Sequence, residues 1–234
     1  MKLAIMQPYF FPYIGYFQLI NAVDVFVLYD NIQFTKKGWI NRNRIMVNNK
    51  DEYITLPLKK GSDFLNVAER QLADTFKVEK IKLIRKILEC YRKAPEFNTV
   101  YTLVENIINN EEDNLFYFIY NSLKLVCNYL DIKTRFVISS SISIDHQLKS
   151  QDKVIAICKA LYATQYINPI GGIELYSKEV FNKNNIELNF IKASTIEYQQ
   201  FTNEFIPWLS IIDVMMFNSK EKLKEYLNSF YSLF

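Results

Sequence analysis

The chain has 234 residues and half of them are apolar, which is enough to build a buried core and excludes a disordered protein. Its net charge of +3 comes from 28 basic and 25 acidic residues, a balance that excludes an extended DNA-binding surface. A single histidine and three cysteines without a CxxC spacing exclude a zinc-finger type of metal site. No apolar run is long enough to cross a bilayer, so we expect a cytoplasmic protein without membrane insertion.

The N-terminal residues predict a βαβ unit. The run "KLAIMQ" is typical of a buried strand, "IGYFQLINAV" has helical apolar spacing, and "DVFVLYD" is a second buried strand. A βαβ unit makes its two strands parallel and brings their carboxyl ends to one edge of the sheet. We therefore expect Gln7 and Asp30 to lie at the carboxyl ends of adjacent parallel strands.

The middle of the chain predicts a hairpin and then a run of helices. The segments "RIMV" and "EYITLPL" flank the turn residues Asn48, Asn49, Lys50 and Asp51. Helical apolar spacing follows in "KVEKIKLIRKILECYRKA", "NTVYTLVENIIN" and "NLFYFIYNSLKLVCNYL".

The last part of the chain again alternates strands and helices. Strands are predicted in "TRFVISSSI", "TQYINP" and "IELNFIK", and helices in "SQDKVIAICKALYA", "GGIELYSKEVFNKNN" and "SKEKLKEYLNSF". The predicted fold class is α/β: a parallel-containing sheet opened by a βαβ unit, a helical middle segment and a second α/β part. We expect one domain over residues 1–234. The alternative is an N-terminal α/β part over 1–73, a helical segment over 74–133 and a C-terminal α/β part over 134–234.

The loop after the first strand, "PYFFPYIGY", is a candidate wall of a ligand site. A loop at the carboxyl end of a parallel strand faces the ligand crevice, and the next helix N-terminus attracts anions. The layout resembles nucleotidyltransferases with a His-x-Gly-His motif, but Tyr13 and Tyr16 stand at the two histidine positions around Gly15. We expect the tyrosines to stack on a sugar or base, or to donate a phenolic hydrogen bond, and Gly15 to let a ligand approach the backbone. The other interpretation is a structural aromatic turn packed on the core.

The loop after the second strand, "YDNIQFTKKGWINRNRI", is unusually rich in polar groups. Basic side chains bind phosphate or carboxylate, amides pair with sugar hydroxyls, and tryptophan stacks on a base or sugar face. The candidate binding residues of this loop are Gln33, Lys36, Lys37, Trp39, Asn41, Arg42 and Asn43, and Gln7 after the first strand is a further one. The alternative is a solvated hairpin loop.

Three residues are candidates for catalysis: Asp30, His146 and Asp213. A histidine beside an acid near a strand end can be a general base, although a lone histidine on a surface loop is the more common case. Asp213 lies in the apolar run "LSIIDVMMFN", where a carboxylate must be paired or have a shifted pKa. The expected partner is Lys36, Arg42 or Arg44, and the alternative role is a structural salt bridge or helix cap.

The segment "INPIGGIELY" offers a further binding element. Gly171 and Gly172 precede a predicted helix, where backbone N–H groups can hold an anion. We expect Tyr176 to lie one turn into that helix and to point toward the same crevice. A plain tight turn is the alternative.

Several phrases together resemble the WbqC-like family. They are "AIMQPYFFPYIGYFQLI", "DVFVLYDNIQFTKKGWINRNRI", "YINPIGGIELY", "IELNF" and "LSIIDVMMFN", in the family's order. The positions that match its two most specific motifs are Gln7, Pro8, Gly15, Tyr16, Asp30, Gln33, Lys36, Trp39, Asn41, Arg42 and Asn43. The family is associated with bacterial O-antigen and other surface-polysaccharide clusters, so the resemblance implies a pathway more firmly than a reaction.

The resulting hypothesis is a transferase that adds an acyl or aminoacyl group to a nucleotide-linked amino sugar. The sequence requires no cofactor and no metal, does not identify the acyl or aminoacyl donor, and leaves a homodimer open. One alternative is a nucleotide- or nucleotide-sugar-binding protein with a degenerate nucleotidyltransferase-like site and no catalysis. Another is a non-catalytic scaffold of a polysaccharide-synthesis complex. Binding of a nucleotide-linked sugar separates the scaffold from the others, and product formation separates the transferase from the binding protein.

Overall fold

A six-stranded sheet and a two-stranded hairpin organise this computed structural model, which describes residues 1–201 and 204–234. The strands are β1 (Lys2–Met6), β2 (Val25–Leu28), β3 (Arg42–Val47), β4 (Lys50–Thr55), β5 (Arg135–Ile138), β6 (Gln165–Pro169), β7 (Glu187–Ala193) and β8 (Tyr231–Leu233). The α-helices are α1 (Ile14–Asn21), α2 (Phe76–Tyr91), α3 (Phe97–Ile108), α4 (Leu115–Tyr129), α5 (Ser150–Ala160), α6 (Lys178–Lys183), α7 (Ile211–Phe217) and α8 (Lys220–Ser229). Short 3₁₀ turns lie at Val67–Glu69, Ser139–Ser141 and Ile170–Leu175.

The sheet has the strand order β5-β2-β1-β6-β7-β8. All neighbours are parallel except β7 and β8, which are antiparallel. The predicted α/β fold with a parallel-containing sheet is therefore confirmed. Because Met6 pairs with Leu28 at the carboxyl ends of β1 and β2, Gln7 and Asp30 follow at the same edge, as expected. Strands from both α/β parts join this one sheet, while the single-domain organisation itself stays a prediction.

The helices cover both faces of the sheet. Alternate strand residues such as Ala4 and Phe26 face a large core built with α1–α4, α7 and α8. Their neighbours Leu3 and Val25 face a smaller core built with α5 and α6. Each of these strands is buried on both sides, which explains why they have continuous apolar runs in the sequence.

The chain reverses its winding direction between β1 and β6. From β1 it moves to β2 and β5 with helices on the large-core face, and from β5 it crosses to β6 and β7 with α5 and α6 on the other face. In a doubly wound sheet, ligands bind at such a switch point, outside the carboxyl ends of the strands. A ligand site is therefore expected at the residues that follow β1 and β6.

The predicted hairpin is present as β3 and β4. Val47 pairs with Lys50 across a two-residue turn, in which Asn48 and Asn49 have φ values of 49° and 62°. Asparagine tolerates this left-handed conformation, and two such residues match the twist of the strands. The buried backbone N–H of Met46 donates to the Tyr91 hydroxyl at 3.0 Å, which anchors the hairpin on α2.

Two elements in the C-terminal half differ from those predicted, namely α7 and the segment around Tyr176. The run "LSIIDVMMFN" forms α7, whose first turn is capped by the Ser210 hydroxyl accepting from the Ile212 N–H at 3.2 Å. A helix that is buried on every side, as α7 nearly is, shows no amphipathic periodicity, so the sequence pattern could not identify it. Tyr176 was expected inside a helix, but that prediction is wrong: it is extended, with φ −133° and ψ 138°, between the 3₁₀ turn and α6.

Within the described residues, no helix combines the length and the apolarity that crossing a membrane requires.

Candidate functional site

A cavity of about 360 Å³ opens at the switch point, and we call it the aromatic pocket. Its walls come from the ends of β1, β6 and β7, the loop before α1, the start of α1, β3 and the segment before α7. The lining residues are Met6, Tyr9, Pro12, Tyr13, Gly15, Tyr16, Leu19, Trp39, Asn43, Arg44, Pro169, Ile170, Ile191, Ala193 and Trp208. This volume is within the range of small-molecule sites, and the mixture of aromatic walls with few polar groups is typical of them.

The loop between β1 and α1 is fixed by distant parts of the chain. The buried Asn43 side chain donates to the Phe10 carbonyl at 3.1 Å, and the Ser210 hydroxyl donates to the Phe11 carbonyl at 2.8 Å. The Ile211 N–H donates to the Pro12 carbonyl at 3.0 Å. These bonds hold the wall of the pocket in place before any ligand arrives, which reduces the entropy lost on binding.

Both tryptophans of the chain stand at the pocket. Trp39 stacks on Tyr53 with ring centroids 6.2 Å apart, and Trp208 meets Tyr13 edge to face at 5.1 Å. Trp208 has a φ of 62°, which a bulky residue adopts only when its surroundings hold it there. The strained backbone places a large ring at the mouth of the pocket, as in sites where aromatic side chains bind sugars or bases.

The two tyrosines at the predicted motif have different environments. The Tyr16 hydroxyl donates to the Gln7 carbonyl at 2.7 Å, so it is already used by the protein. Tyr13 is half-buried against Trp208, and burial, together with the nearby Tyr226, raises the pKa of Tyr13 to about 12. Burial also raises the pKa of Tyr16, so both groups stay neutral phenols at neutral pH. Neither supplies the positive charge that a histidine motif would.

Gly15 permits a close approach at the start of α1. A Cβ atom at this position would lie 3.3 Å from the Ala193 Cβ and 3.5 Å from a Tyr13 ring carbon. The glycine therefore lets α1 pack against the end of β7, and it also lines the pocket. The close approach that the structure contains is made by protein atoms, whereas approach of a ligand to Gly15 remains a prediction.

Arg44 is the charged side chain among the described residues that line the pocket. Its Nη1 pairs with Asp51 at 2.8 Å, its Nη2 donates weakly to the Trp208 carbonyl at 3.4 Å, and its guanidinium lies 5.8 Å from the Trp39 ring centre. Its Nε is buried and has no hydrogen-bond partner among the described residues. Since a buried donor without an acceptor is unfavourable, this N–H is suited to an anionic or carbonyl oxygen of a ligand.

The other residues of the polar loop are divided between structural contacts and solvent. Gln33 donates to the Asp63 carbonyl at 2.9 Å, and Lys36 pairs with the Asp63 carboxylate at 2.6 Å on the surface. Asn41 donates to the Leu56 carbonyl at 2.9 Å. Lys37 is exposed, with a φ of 62°. Of the binding residues predicted from this loop, Trp39 and Asn43 line the pocket.

Arg42 turns back on its own loop. Its Nε donates to the Gly38 carbonyl at 3.1 Å, and its guanidinium also bonds the Lys37 carbonyl and lies 4.6 Å from the Tyr53 ring centre. These contacts order the loop that carries Trp39. A role of Arg42 in ligand binding remains a prediction.

Asp30 and His146 lie near the ends of β2 and β5. The Asp30 Oδ1 accepts from the Ser140 N–H at 2.9 Å, while its Oδ2 has no hydrogen-bond partner in the described part of the chain. Both ring nitrogens of His146 are used: Nδ1 lies 2.9 Å from the Asn31 Nδ2 and Nε2 lies 3.0 Å from the Ile142 carbonyl oxygen. This arrangement fits a neutral ring that accepts at Nδ1 and donates at Nε2.

Asp213 is completely buried within the fold. It accepts hydrogen bonds from the Tyr91 hydroxyl at 2.8 Å, the Tyr198 hydroxyl at 2.7 Å and the Gln200 amide at 2.9 Å. Burial raises the pKa of Asp213, and the three hydrogen bonds oppose that shift. The expected basic partners were wrong, because Lys36, Arg42 and Arg44 bond elsewhere and the partners of Asp213 are neutral.

The Gly171–Gly172 segment lies beside the pocket. Ile170 lines the cavity, and a Cβ at Gly172 would lie 2.1 Å from the Asn168 Nδ2, so any larger residue there requires the Asn168 side chain to move. Gly171 is open, since a Cβ atom added to it would meet no other atom within 4 Å. Tyr176 packs edge to face on Tyr166, with ring centroids 5.7 Å apart.

Four residues of this edge were not among the predicted site residues. Tyr9, Arg44 and Trp208 line the pocket, and Lys153 lies in the first turn of α5. The scarcity of tryptophan was a usable signal, since both tryptophans of the chain reach the pocket. Arg44 was named from the sequence as a possible partner of Asp213. No grouping of three or more metal-binding side chains occurs among residues 1–201 and 204–234.

Comparison with known proteins gives a relationship over almost the whole chain. The sequence is 29% identical over 231 residues to the uncharacterized protein Rv1507c of Mycobacterium tuberculosis, covering 97% of this chain and 97% of that relative. No solved structure matches the chain. The profile of the WbqC-like protein family matches residues 7–225, which include every strand from β2 to β7 and all lining residues of the aromatic pocket except Met6. The chain therefore belongs to the WbqC-like protein family.

Proposed function

We propose that the protein binds a nucleotide-linked sugar in the aromatic pocket and acts in bacterial surface-polysaccharide (O-antigen) biosynthesis. Within that pathway, we infer that it is a transferase that adds an acyl or aminoacyl group to an amino sugar. The observation that carries the proposal is the aromatic pocket at the switch point of the sheet, with the unpartnered Nε of Arg44 at its wall. The pathway rests on the association of the WbqC-like family with surface-polysaccharide clusters.

The chemistry of the walls supports a ligand with both flat apolar faces and negative charge. Tyr13, Trp39 and Trp208 provide ring surfaces for a nucleobase or for the apolar face of a sugar. Arg44 provides charge-assisted hydrogen bonds for phosphate oxygens. The N-terminus of α1 opens onto the same space and favours anions.

Asp30 is the best supported of the three catalytic candidates. Acyl transfer to an amino sugar forms a bond between the sugar nitrogen and the acyl carbon and breaks the bond from that carbon to the donor's leaving group. The nitrogen must give a proton to a base, and the Oδ2 of Asp30 is a carboxylate oxygen that no described residue occupies. His146 and Asp213 already have partners at their ring nitrogens and carboxylate oxygens.

A non-catalytic nucleotide-sugar-binding protein is the second candidate function. The engagement of both nitrogens of His146 and the complete burial of Asp213 favour it, because two of the three catalytic candidates are then structural. The replacement of a histidine motif by neutral tyrosines favours it as well.

Tryptophan fluorescence tests the binding step, because both tryptophans line the pocket. We expect UDP- or dTDP-linked amino sugars to change the emission, and Arg44→Met to weaken binding by about tenfold or more, as loss of a charge-assisted hydrogen bond would. Arg92→Met is the matched control, since Arg92 is an exposed arginine at the end of α2. Failure of every nucleotide-linked sugar to bind would contradict the proposal.

Product analysis separates the two candidate functions. The protein is incubated with a nucleotide-linked amino sugar that binds and with acyl thioester or aminoacyl donors, and the sugar is examined by mass spectrometry. A transferase gives the acylated sugar with wild-type protein, and Asp30→Asn abolishes the product while the sugar still binds. Binding without product across the donors would favour the non-catalytic alternative.

A further inference from the structure

A second charged site lies at the same edge of the sheet, outside the lining of the aromatic pocket. Lys153 is in the first turn of α5, and only 9% of its surface is exposed. Within the described residues, its ammonium forms neither a hydrogen bond nor an ion pair. Lysine is rarely buried to this extent without a partner.

Tyr29 and Asp30 are the neighbours of the Lys153 ammonium, and we call these three residues the lysine compartment. The ammonium lies 5.3 Å from the centre of the Tyr29 ring, which provides a floor for it. Burial lowers the pKa of Lys153, and the nearby Asp30 carboxylate partly opposes that shift. The two groups do not form a direct ion pair within the described residues. Asp30 is itself buried, and its Oδ2 is free of hydrogen bonds from the described residues. Two opposite charges therefore lie near each other, each with an unused hydrogen-bonding atom.

This compartment lies at the carboxyl ends of the strands β2 and β5, the edge at which ligands bind in a doubly wound sheet. Tyr29 and Asp30 follow β2, and α5 begins after β5, the neighbour of β2. Adjacent strands are about 4.8 Å apart, so the compartment and the aromatic pocket, which begins at the end of β1, lie at the same edge of the sheet. The N-terminus of α5 adds a partial positive charge beside Lys153. The stem of Lys153 is packed against protein, and its ammonium has no acceptor among the described residues. An oxyanion of a ligand would therefore supply a charge-assisted hydrogen bond that these residues do not.

We propose that Lys153 is an oxyanion-binding residue. Its ammonium binds a carboxylate or phosphate oxygen of a molecule held at the ends of β2 and β5, over the Tyr29 ring. Asp30 accepts a hydrogen bond from an amine or hydroxyl group of the same molecule. Binding of the anion does not depend on the aromatic pocket, whereas the identity of that molecule as a substrate of the transferase rests on the proposed function.

Two simple probes distinguish the sources of the oxyanion. Inorganic pyrophosphate represents a phosphate, and glycine represents a carboxylate with an adjacent ammonium donor. Each is titrated into wild-type protein, Lys153→Met and Lys149→Met by calorimetry. Lys149 is the matched control, because it is an exposed lysine just before the same helix. We expect at least one probe to bind, with affinity about tenfold or more weaker in Lys153→Met and unchanged in Lys149→Met.

Asp30→Asn then shows whether the compartment is suited to a phosphate or to a carboxylate that carries an adjacent ammonium group. Removing the neighbouring negative charge should tighten pyrophosphate binding, whereas it should weaken glycine binding because the glycine ammonium loses its acceptor. If Lys153→Met does not fold, each probe is titrated into wild-type protein and the NMR signal of the Lys153 Cε is followed instead. The signal is assigned by its absence from the spectrum of Lys153→Arg.

The proposal is overturned if neither anion binds wild-type protein, if Lys153→Met binds as well as wild type, or if the Lys153 signal is unmoved by both probes. Nucleotide-linked sugars that fail to bind, beside a pyrophosphate affinity that depends on Lys153, would reject the proposed function and leave this site standing. The titration with nucleotide-linked sugars therefore tests the proposed function, and the titration with the two small anions tests the Lys153 site.

Discussion

The hydroxyl of Tyr16 shows how a residue at a ligand pocket can have a structural task. Its ring lines the pocket, but its hydroxyl donates to the Gln7 carbonyl, just beyond the end of β1. This bond fixes the first residue of the loop relative to α1. The motif position is thus occupied by a group that shapes the pocket through the backbone.

Tyr16→Phe should lower stability more than it lowers affinity. The variant keeps the ring but leaves the partly buried Gln7 carbonyl without its donor, a loss of about 0.5–1.5 kcal/mol in the free energy of unfolding. Denaturant unfolding measures this change, and the fluorescence titration measures the affinity. Tyr9→Phe is the control, because the Tyr9 hydroxyl makes only a 3.4 Å contact with the Gln7 side chain and should matter less. A large loss of affinity with unchanged stability would show that the Tyr16 hydroxyl contacts the ligand.

Two consecutive glycines in the 3₁₀ turn after β6 have different tasks, although the sequence presents them as a pair. Gly172 lies against the Asn168 side chain, which in turn accepts from the buried Tyr166 hydroxyl at 3.0 Å. Gly171 faces open space. The turn can therefore pack closely on β6 at one position only.

Gly172→Ala should destabilise the protein and Gly171→Ala should not. The new methyl group at Gly172 would meet the Asn168 amide at 2.1 Å, so Asn168 must move away from Tyr166, at a cost of about 1–3 kcal/mol. Thermal unfolding of both variants gives the comparison. Equal melting temperatures for the two variants would mean that the turn relaxes freely and that the close packing is unimportant.

The elements were predictable where one local signal dominates. The βαβ opening, the Asn48-Asn49 hairpin and the amphipathic helices have such signals, and the structure contains all of them. Helix α7 was not predictable, because it is surrounded by protein and has no polar stripe. Strand β8 is three residues long and depends on its pairing with β7, a long-range contact that the local sequence does not encode.

The sequence predicts the location of the candidate site better than it predicts which residues line it. Strand ends located it, since Gln7 and Asp30 follow buried apolar runs. The polar loop was a weaker guide, because side chains such as Lys36 and Asn41 bond nearby loops once the chain is folded. Trp208 reaches the pocket from far along the chain, and only the tertiary fold brings it to Tyr13.

At the scale of the whole molecule, Asp213 connects three separate segments. It receives hydrogen bonds from Tyr91 at the end of α2 and from Tyr198 and Gln200 in the segment after β7, and it lies in α7. Tyr91 also accepts from the Met46 N–H of the hairpin. The network thus joins the hairpin, the helical middle and the segment that carries Trp208.

This network should give stability a measurable pH dependence. Burial raises the folded-state pKa of Asp213, so the folded protein keeps a proton that the unfolded chain releases near pH 4. The unfolded state then binds fewer protons, and the contribution of Asp213 to stability, complete below about pH 4, is lost as pH rises through the folded pKa.

Asp213→Asn removes this titration and, by turning one oxygen into a donor that faces another donor, should also cost about 1–3 kcal/mol. Denaturant unfolding of both proteins between about pH 4 and pH 8 isolates the effect, since all other titrating groups are shared. We expect the stability advantage of wild type over Asp213→Asn to be largest at the acidic end and to shrink as pH rises. An advantage that grows with pH would mean that the three hydrogen bonds outweigh burial and that Asp213 is ionised in the folded protein.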